Sequence, residues 1–426
     1  MPVCPFRNKC CGSSTAIFPI IPISENQTTI PKRCMGPVEF LSDIRFHQDI
    51  TVPPNPKTGL MKPLRVSYSD YGDPLSNAVV LFCGALMGTR FCYSPLDQLA
   101  KVHRVRIIHP DRPGVGGSDS VDLHERIQAW LEMIPHLLAY LEVSYITIAS
   151  HSGGIIYALN TILNYPQFFH PKRPYIAFFA PWVHQSHSRV PHLKVADWVP
   201  GPLVGKFASI AKFMNNSILP LAGSSITFFH NIKGSLAVSA PAVSSSSSTW
   251  ALSLPSVRSL SDTTRRTPKQ EVWDFDWHDE EMVTELRRLI TMYMFAESIN
   301  GISADARLFL KKTSRTRWSF PPHLWSDMDD FVPLLLENTV QERASGNWRK
   351  WTVDTFHAES DEMIGTRGSL WFDRCWEPAL GSADLEYNSQ VVHDASHNAL
   401  LNPVFGAAGK WMQSVRESFL EGDKQP

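Results

Sequence analysis

Ser152 lies where an apolar stretch breaks into small residues, and that break constrains the chain more than any other feature. Ile146 to Ala149 has the apolar character of a buried parallel strand, and Ile155 to Tyr165 continues with helix-forming and apolar residues. Ser150, Gly153 and Gly154 surround the serine between them. A strand that turns this sharply into a helix holds its corner residue in strained backbone angles. That strain is tolerable only where neighbours two positions away have little or no side chain. The corner exposes its hydroxyl, as a serine nucleophile requires. Taken alone, the pentapeptide fits a helix N-cap without chemistry equally well.

Two flanking motifs favour the nucleophile. Upstream, Ala78 to Gly88 reads as a strand running into a glycine-containing loop, and Val105 to Asp119 as a second strand followed by a Pro/Gly turn. The chain here resembles the α/β-hydrolase superfamily. Ser150 to Gly154 is similar to its nucleophile elbow, G-x-S-x-G, with serine replacing the first glycine. Asp111 to Asp119 looks like the D-x-P-G-x-G-x-S-D loop after its fourth strand. Individually, the Pro and Gly residues of that loop shape it and need not touch substrate.

The order of elements agrees with that resemblance. Leu64 to Pro74 alternates like an early antiparallel strand, and strands near Val79 to Phe82, Val105 to Ile108 and Tyr175 to Phe179 follow. Asp122 and Glu125 form an acidic start for a helix carrying Ile127, Trp130, Ile134, Leu138 and Leu141, with Pro135 expected to kink it. Alternating strands and helices imply an α/β fold: a mostly parallel sheet flanked by helices.

The alternation stops at His184 and resumes at Trp348, which reads as a large, mainly helical cap insertion. Four segments are therefore expected: a disordered tail over 1–40, core over 41–183, cap over 184–346 and core again over 347–426. In the cap, Phe207 to Ile218 has helical spacing and ends at Pro220. Ser239 to Gln270 is too polar to bury and is expected to be a mobile loop over 239–270. A second helix carries Met282 to Ile299, with Gly301 as its stop. These apolar faces suit an acyl pocket or a membrane surface, and equally suit packing on the rest of the protein.

The resemblance extends past the cap. Trp351 to Glu362 looks like the strand and loop that carry the superfamily's acid, which implies Asp361; Glu359 and Glu362 lie close by. Ser389 to Pro403 offers His393 and His397, and the residues after His397 resemble the passage into the C-terminal helix, which implies His397 as the base. His393 is expected to bond locally. The order Ser152, Asp361, His397 is that of α/β-hydrolases. A carboxylate is needed to hold the imidazole in one tautomer and stabilise its cation. The oxyanion hole is implied at the N–H groups of Gly153 and Ala85, with Leu86 next.

The implied activity is a serine hydrolase cleaving a carboxylic ester or thioester of a hydrophobic small molecule through an acyl-enzyme on Ser152, with no cofactor or metal. Serine at the elbow argues against an epoxide hydrolase or haloalkane dehalogenase, which use aspartate. The same triad also serves acyltransferases, peptidases and C–C bond hydrolases, and the fold hosts non-catalytic ligand-binding proteins.

Composition narrows the remaining classes. The chain has 426 residues, 43% hydrophobic and 19% charged, enough for a large core. A net charge of −1 gives no electrostatic reason to expect nucleic acid. No apolar run spans a bilayer, although peripheral membrane contact is compatible with the sequence. The first residues lack the positive-then-apolar order of a signal peptide. Seven cysteines, with Cys4, Cys10, Cys11 and Cys34 near the start, show neither a disulfide framework nor paired C-x-x-C zinc spacing. A reducing, cytoplasmic location is expected.

Overall fold

The computed structural model describes residues 35–191, 275–312 and 316–420. Eight strands form one sheet: β1 (Gln48–Val52), β2 (Leu64–Gly72), β3 (Val79–Cys83), β4 (Arg106–Pro110), β5 (Thr147–His151), β6 (Tyr175–Phe179), β7 (Trp351–Ser360) and β8 (Leu385–Ser396). Their order is β1-β2-β4-β3-β5-β6-β7-β8, with β2 antiparallel to both its neighbours and every other pairing parallel. The central strands β3 and β6 are buried along their whole length and so read as continuous apolar runs, whereas the edge strand β8 is largely exposed. Along β6 the side chains nevertheless alternate: Ile176 and Phe178 face one core, Tyr175, Ala177 and Phe179 the other.

Helices α1 (Pro37–Leu41), α2 (Asp97–Val102), α3 (Arg126–Tyr140) and α4 (Ile155–Asn164) precede β6, and α5 (Gln185–Ser188) opens the long interval between β6 and β7. Within that interval lie α6 (Glu280–Ala296), α7 (Asn300–Phe309) and α8 (Met328–Ala344); α9 (Gly365–Cys375) and α10 (Ala407–Phe419) complete the chain. Apolar stripes of α3 and α4 join one core, and that of α10, with Trp411, Met412 and Val415, joins the other. The 3.6-residue spacing of each stripe is what lets one helix cover one face.

Four details differ from the sequence expectations. Phe40 and Leu41, at the edge of the expected tail, are buried in the core that also receives Phe275. Asp122 makes no capping bond; a 3-10 turn at Leu123–Glu125 leads into α3, whose first residue, Arg126, is buried. Gly301 does not stop α6, which ends at Ala296, but lies in the first turn of α7. Its role is close approach: a Cβ there would sit 2.6 Å from the carbonyl carbon of Gly114, and the Gly301 N–H donates to the Gly114 carbonyl at 2.8 Å. Finally, α8 inserts Phe331, Val332 and Leu335 into the core shared with Phe372 and Trp376, and packs on α9, so the end of the interval covers the sheet.

The cysteine-bearing first 34 residues, the helix expected at Phe207 to Ile218 and the serine-rich stretch 239–270 lie outside the described residues. Among the described residues, Cys83, Cys92 and Cys375 are free thiols and no helix is long and apolar enough to cross a membrane.

Candidate active site

Ser152 follows β5 directly and has φ 52°, a left-handed conformation that side-chain-bearing residues adopt at a cost of roughly 1–3 kcal/mol. The sharpness of the turn explains its small neighbours. A Cβ on Gly154 would sit 2.5 Å from the Gly84 carbonyl oxygen and closer still to that of Cys83, so the elbow rests directly on the end of β3. At Gly153 a Cβ would fall 2.6 Å from Cδ2 of Phe309, which brings the end of α7 onto the elbow. Ser150, in place of the first glycine, sits within β5 beside Cys83 and Phe178, where its small side chain is accommodated.

The three separate motifs converge at this corner. The Ser152 hydroxyl meets His397 Nε2 at 2.9 Å, and His397 Nδ1 meets Asp361 Oδ2 at 2.9 Å. Asp361 Oδ1 accepts the N–H groups of Met363 at 2.9 Å and Ile364 at 2.7 Å, which fixes the carboxylate just beyond β7. Burial alone would raise the Asp361 pKa; the His397 ring and these two amides outweigh it and hold the group below the ordinary carboxylate range. An ionised Asp361 accepts from Nδ1–H, which leaves Nε2 as the acceptor facing the Ser152 hydroxyl.

The rival groups pair elsewhere. His393 Nδ1 lies 3.2 Å from Glu359 Oε1, with side-chain exposures of 80% and 47%, so this contact is on the surface. Glu359 also accepts the Asp394 N–H at 2.9 Å. A left-handed residue, Asp394 at φ 57°, separates the two histidines' surroundings and lets the chain turn inward to the buried His397.

The loop after β3 is held by two networks the sequence did not reveal. In the first, Arg112 Nη1 donates to the Gly84 carbonyl, and Nη2 donates to those of Ala85 at 2.7 Å and Leu86 at 2.8 Å. Arg112 Nε meets Asp305 Oδ2 at 2.7 Å; Asp305 Oδ1 accepts Arg126 Nε at 2.8 Å and the Tyr157 hydroxyl. All four side chains are buried, and Asp305 comes from α7.

The second network has a defined direction. His151 Nε2 faces the His397 carbonyl at 2.9 Å, and a carbonyl only accepts, so Nε2 carries the proton. Burial and the neighbouring His397 lower the His151 pKa to about 3, so the ring is neutral and Nδ1 is an acceptor. The Tyr93 hydroxyl, 2.9 Å from Nδ1, therefore donates to it, and the Tyr93 oxygen accepts the Ala85 N–H at 2.9 Å. This corrects the expectation for Ala85: its N–H is engaged by Tyr93. The Leu86 N–H has no acceptor among the described residues, and Gly153 lies in the first turn after the elbow, where helical N–H groups lack intrahelical partners.

In the D-x-P-G-x-G-x-S-D segment, Asp111, Ser118 and Asp119 bond within the fold. Asp111 accepts the Arg90 N–H at 2.7 Å, Arg90 Nη1 at 2.6 Å and the Ser67 hydroxyl at 2.6 Å. Ser118 Oγ donates to the Asp111 carbonyl at 2.9 Å, and Gly114 and Gly116 have φ of 75° and 60°. The same Arg90 guanidinium reaches Glu297 at 2.6 Å, and Gly116 and Ser298 form a β-bridge, so the α6–α7 junction is tied to this loop. The group with metal-ligand proximity among the described residues, Asp122, His124 and Glu125, is exposed on the surface just before α3.

Two buried histidines make the folded state acid-sensitive. Burial, aided by nearby charge, lowers both His109 and His151 to about 3 from an ordinary 6.5. Between those values the unfolded chain binds two protons that the folded chain excludes, so stability is full above about pH 6.5 and falls as pH drops toward 3. The slope is about 2.7 kcal/mol per pH unit when both contribute fully. Urea melts from pH 7 to 4.5 are expected to show this loss, and His109→Phe to halve its slope. A flat profile over that range would contradict the buried neutral state.

No known protein family matches the sequence, and no curated protein does. Among solved structures, the chain is similar to a thermophilic esterase from Thermogutta terrifontis, with 14% identity, a TM-score of 0.47, and 87% of this chain and 99% of that one covered. It is also similar to the enol-lactonase from Burkholderia xenovorans LB400 (12%, 0.45, 84% and 97%) and to epoxide hydrolase VrEH1 from Vigna radiata (15%, 0.44, 88% and 99%). The strand order, the single antiparallel β2 within the parallel sheet and the sharp turn after β5 give this chain the α/β-hydrolase fold.

Proposed function

We propose that this protein is a cofactor-independent serine hydrolase that cleaves a carboxylic ester or thioester of a hydrophobic small molecule. The observation that carries this reading is the unbroken chain from Ser152 Oγ through His397 to Asp361, two contacts of 2.9 Å at a strained, buried elbow. His397 Nε2 takes the hydroxyl proton as Oγ attacks the acyl carbon. The resulting oxyanion is bound by the N–H groups of Gly153 and Leu86, each worth about 2.7–4 kcal/mol of barrier. His397 returns the proton to the leaving alcohol or thiol, and water, deprotonated by the same ring, then releases the acid and restores Ser152.

The residues around the elbow favour an apolar substrate. Phe309 packs on Gly153, Trp182 is beside it with ring centroids 6.4 Å apart, and the backbone N–H of Trp182 donates to the Ser152 carbonyl at 3.2 Å. Rigid aromatic walls suit an acyl chain or ring. The test is labelling of Ser152 by a fluorophosphonate together with hydrolysis of p-nitrophenyl esters and acyl-CoAs of graded chain length. Labelled Ser152 and turnover rising with apolar chain length are expected. Absence of both labelling and turnover would leave a ligand-binding protein on this fold.

A further inference from the structure

We infer that Arg112 is a positioning residue for the oxyanion hole, and that the inserted segment completes the hole by supplying Asp305. This rests on the serine-hydrolase reading above. Three successive carbonyls, those of Gly84, Ala85 and Leu86, converge on one guanidinium. In a trans peptide the N–H points opposite to the C=O of the same plane. Holding the Ala85 carbonyl on Arg112 therefore turns the Leu86 N–H away from Arg112. The plane before it is held at both ends, by Arg112 on the Gly84 carbonyl and by Tyr93 on the Ala85 N–H. The loop cannot rotate one peptide without breaking a buried bond.

The charge of the cluster matters as well as its geometry. Arg112 and Arg126 share one carboxylate, Asp305, so the buried group carries one net positive charge with the Tyr157 hydroxyl neutral. A cation on the carbonyl side polarises each peptide and strengthens its N–H as a donor on the opposite side. Lysine cannot reproduce this, because its single ammonium lacks the planar fork that reaches three carbonyls and a carboxylate at once. Asp305 sits on α7, whose Phe309 also touches Gly153, so one helix borders both proposed N–H donors.

Arg112→Lys and Asp305→Asn are to be compared with Glu297→Gln, which breaks another ion pair between the inserted segment and the core, that with Arg90, without touching the loop. Steady-state hydrolysis of the best ester is measured alongside inhibition by its trifluoromethyl ketone analogue, which forms a tetrahedral adduct. Arg112→Lys and Asp305→Asn are expected to lower kcat about 100-fold with KM changed less than threefold, the loss typical of one missing oxyanion donor. The inhibitor's Ki should rise by the same factor as kcat/KM falls, a correlation that loosened packing alone does not produce. Glu297→Gln should keep wild-type kcat.

In the wild-type chain, adduct formation should also slow amide exchange in the peptide spanning 84–88, a measurement that needs no variant to fold. Wild-type kcat in Arg112→Lys, Ki uncorrelated with kcat/KM, or unchanged exchange at 84–88 overturns the positioning role while Ser152 labelling and turnover stand. A wild-type protein that neither labels nor turns over any ester overturns the hydrolase reading itself, and this inference with it.

Discussion

Ser152→Ala is expected to lower turnover by a factor on the order of 10⁶ while leaving the fold in place, because a triad loses nearly all its catalysis with its nucleophile. The stability change should stay within about 1 kcal/mol, since the substitution removes one hydrogen bond, to His397, and no packing volume beyond an oxygen. His397→Ala should match that loss. Asp361→Asn should cost about 10⁴-fold, because an amide no longer enforces the tautomer in which Nε2 accepts. His393→Ala and Glu359→Gln should change turnover less than about threefold, as surface pairs contribute little. The measurement is turnover at saturating substrate, with folding checked by thermal melts. A severe loss at His393 or Glu359 beside a mild one at His397 or Asp361 would reassign the triad.

Gly154→Ala is expected to be among the most destabilising single changes in the chain, more than about 4 kcal/mol or failure to fold. Its Cβ would press on the carbonyl oxygens of Cys83 and Gly84, which are backbone atoms and cannot swing aside. Cys83 is paired with Ser150 of β5, and the Gly84 carbonyl is bound to Arg112, so neither has a second position to adopt. Gly409→Ala provides the contrast: nothing lies within 4 Å of its Cβ site inside α10. There, alanine should stabilise by up to about 1 kcal/mol through helix propensity and a less flexible unfolded chain. Urea unfolding of both variants separates steric approach from conformational freedom. Equal, small changes would remove the close-packed account of the elbow.

The parts of the fold that were legible in the sequence are those set by short-range patterns. Apolar runs such as Tyr175 to Phe179 announce a strand covered on both faces, and the Ser150 to Gly154 cluster announces a turn too tight for larger neighbours. Asp361 and His397 were implied by the resemblance of their strand-and-loop surroundings to the α/β-hydrolase superfamily, and each follows a strand and precedes a turn into a helix. Gly301 was misread because glycine at the end of a helical pattern looks the same whether it terminates a helix or admits a neighbouring backbone. Only the position of Gly114 tells the two apart.

The amino-acid sequence by itself determined the alternation of strands and helices from Leu64 onward and the tight turn at Ser152, because local periodicity and steric demand act over a few residues; Asp361 and His397 came from the resemblance to the α/β-hydrolase superfamily. Tertiary structure alone decided what supports them. Asp305 belongs to no motif, and it pairs with Arg112 and Arg126 across 193 and 179 residues of chain. Which N–H of the β3 loop remains unpaired depends on Tyr93, His151 and Arg112 meeting that loop from separate segments. Peptide orientation in a loop is set by whichever buried donors and acceptors surround it, and those partners are assembled only when the chain has closed on itself.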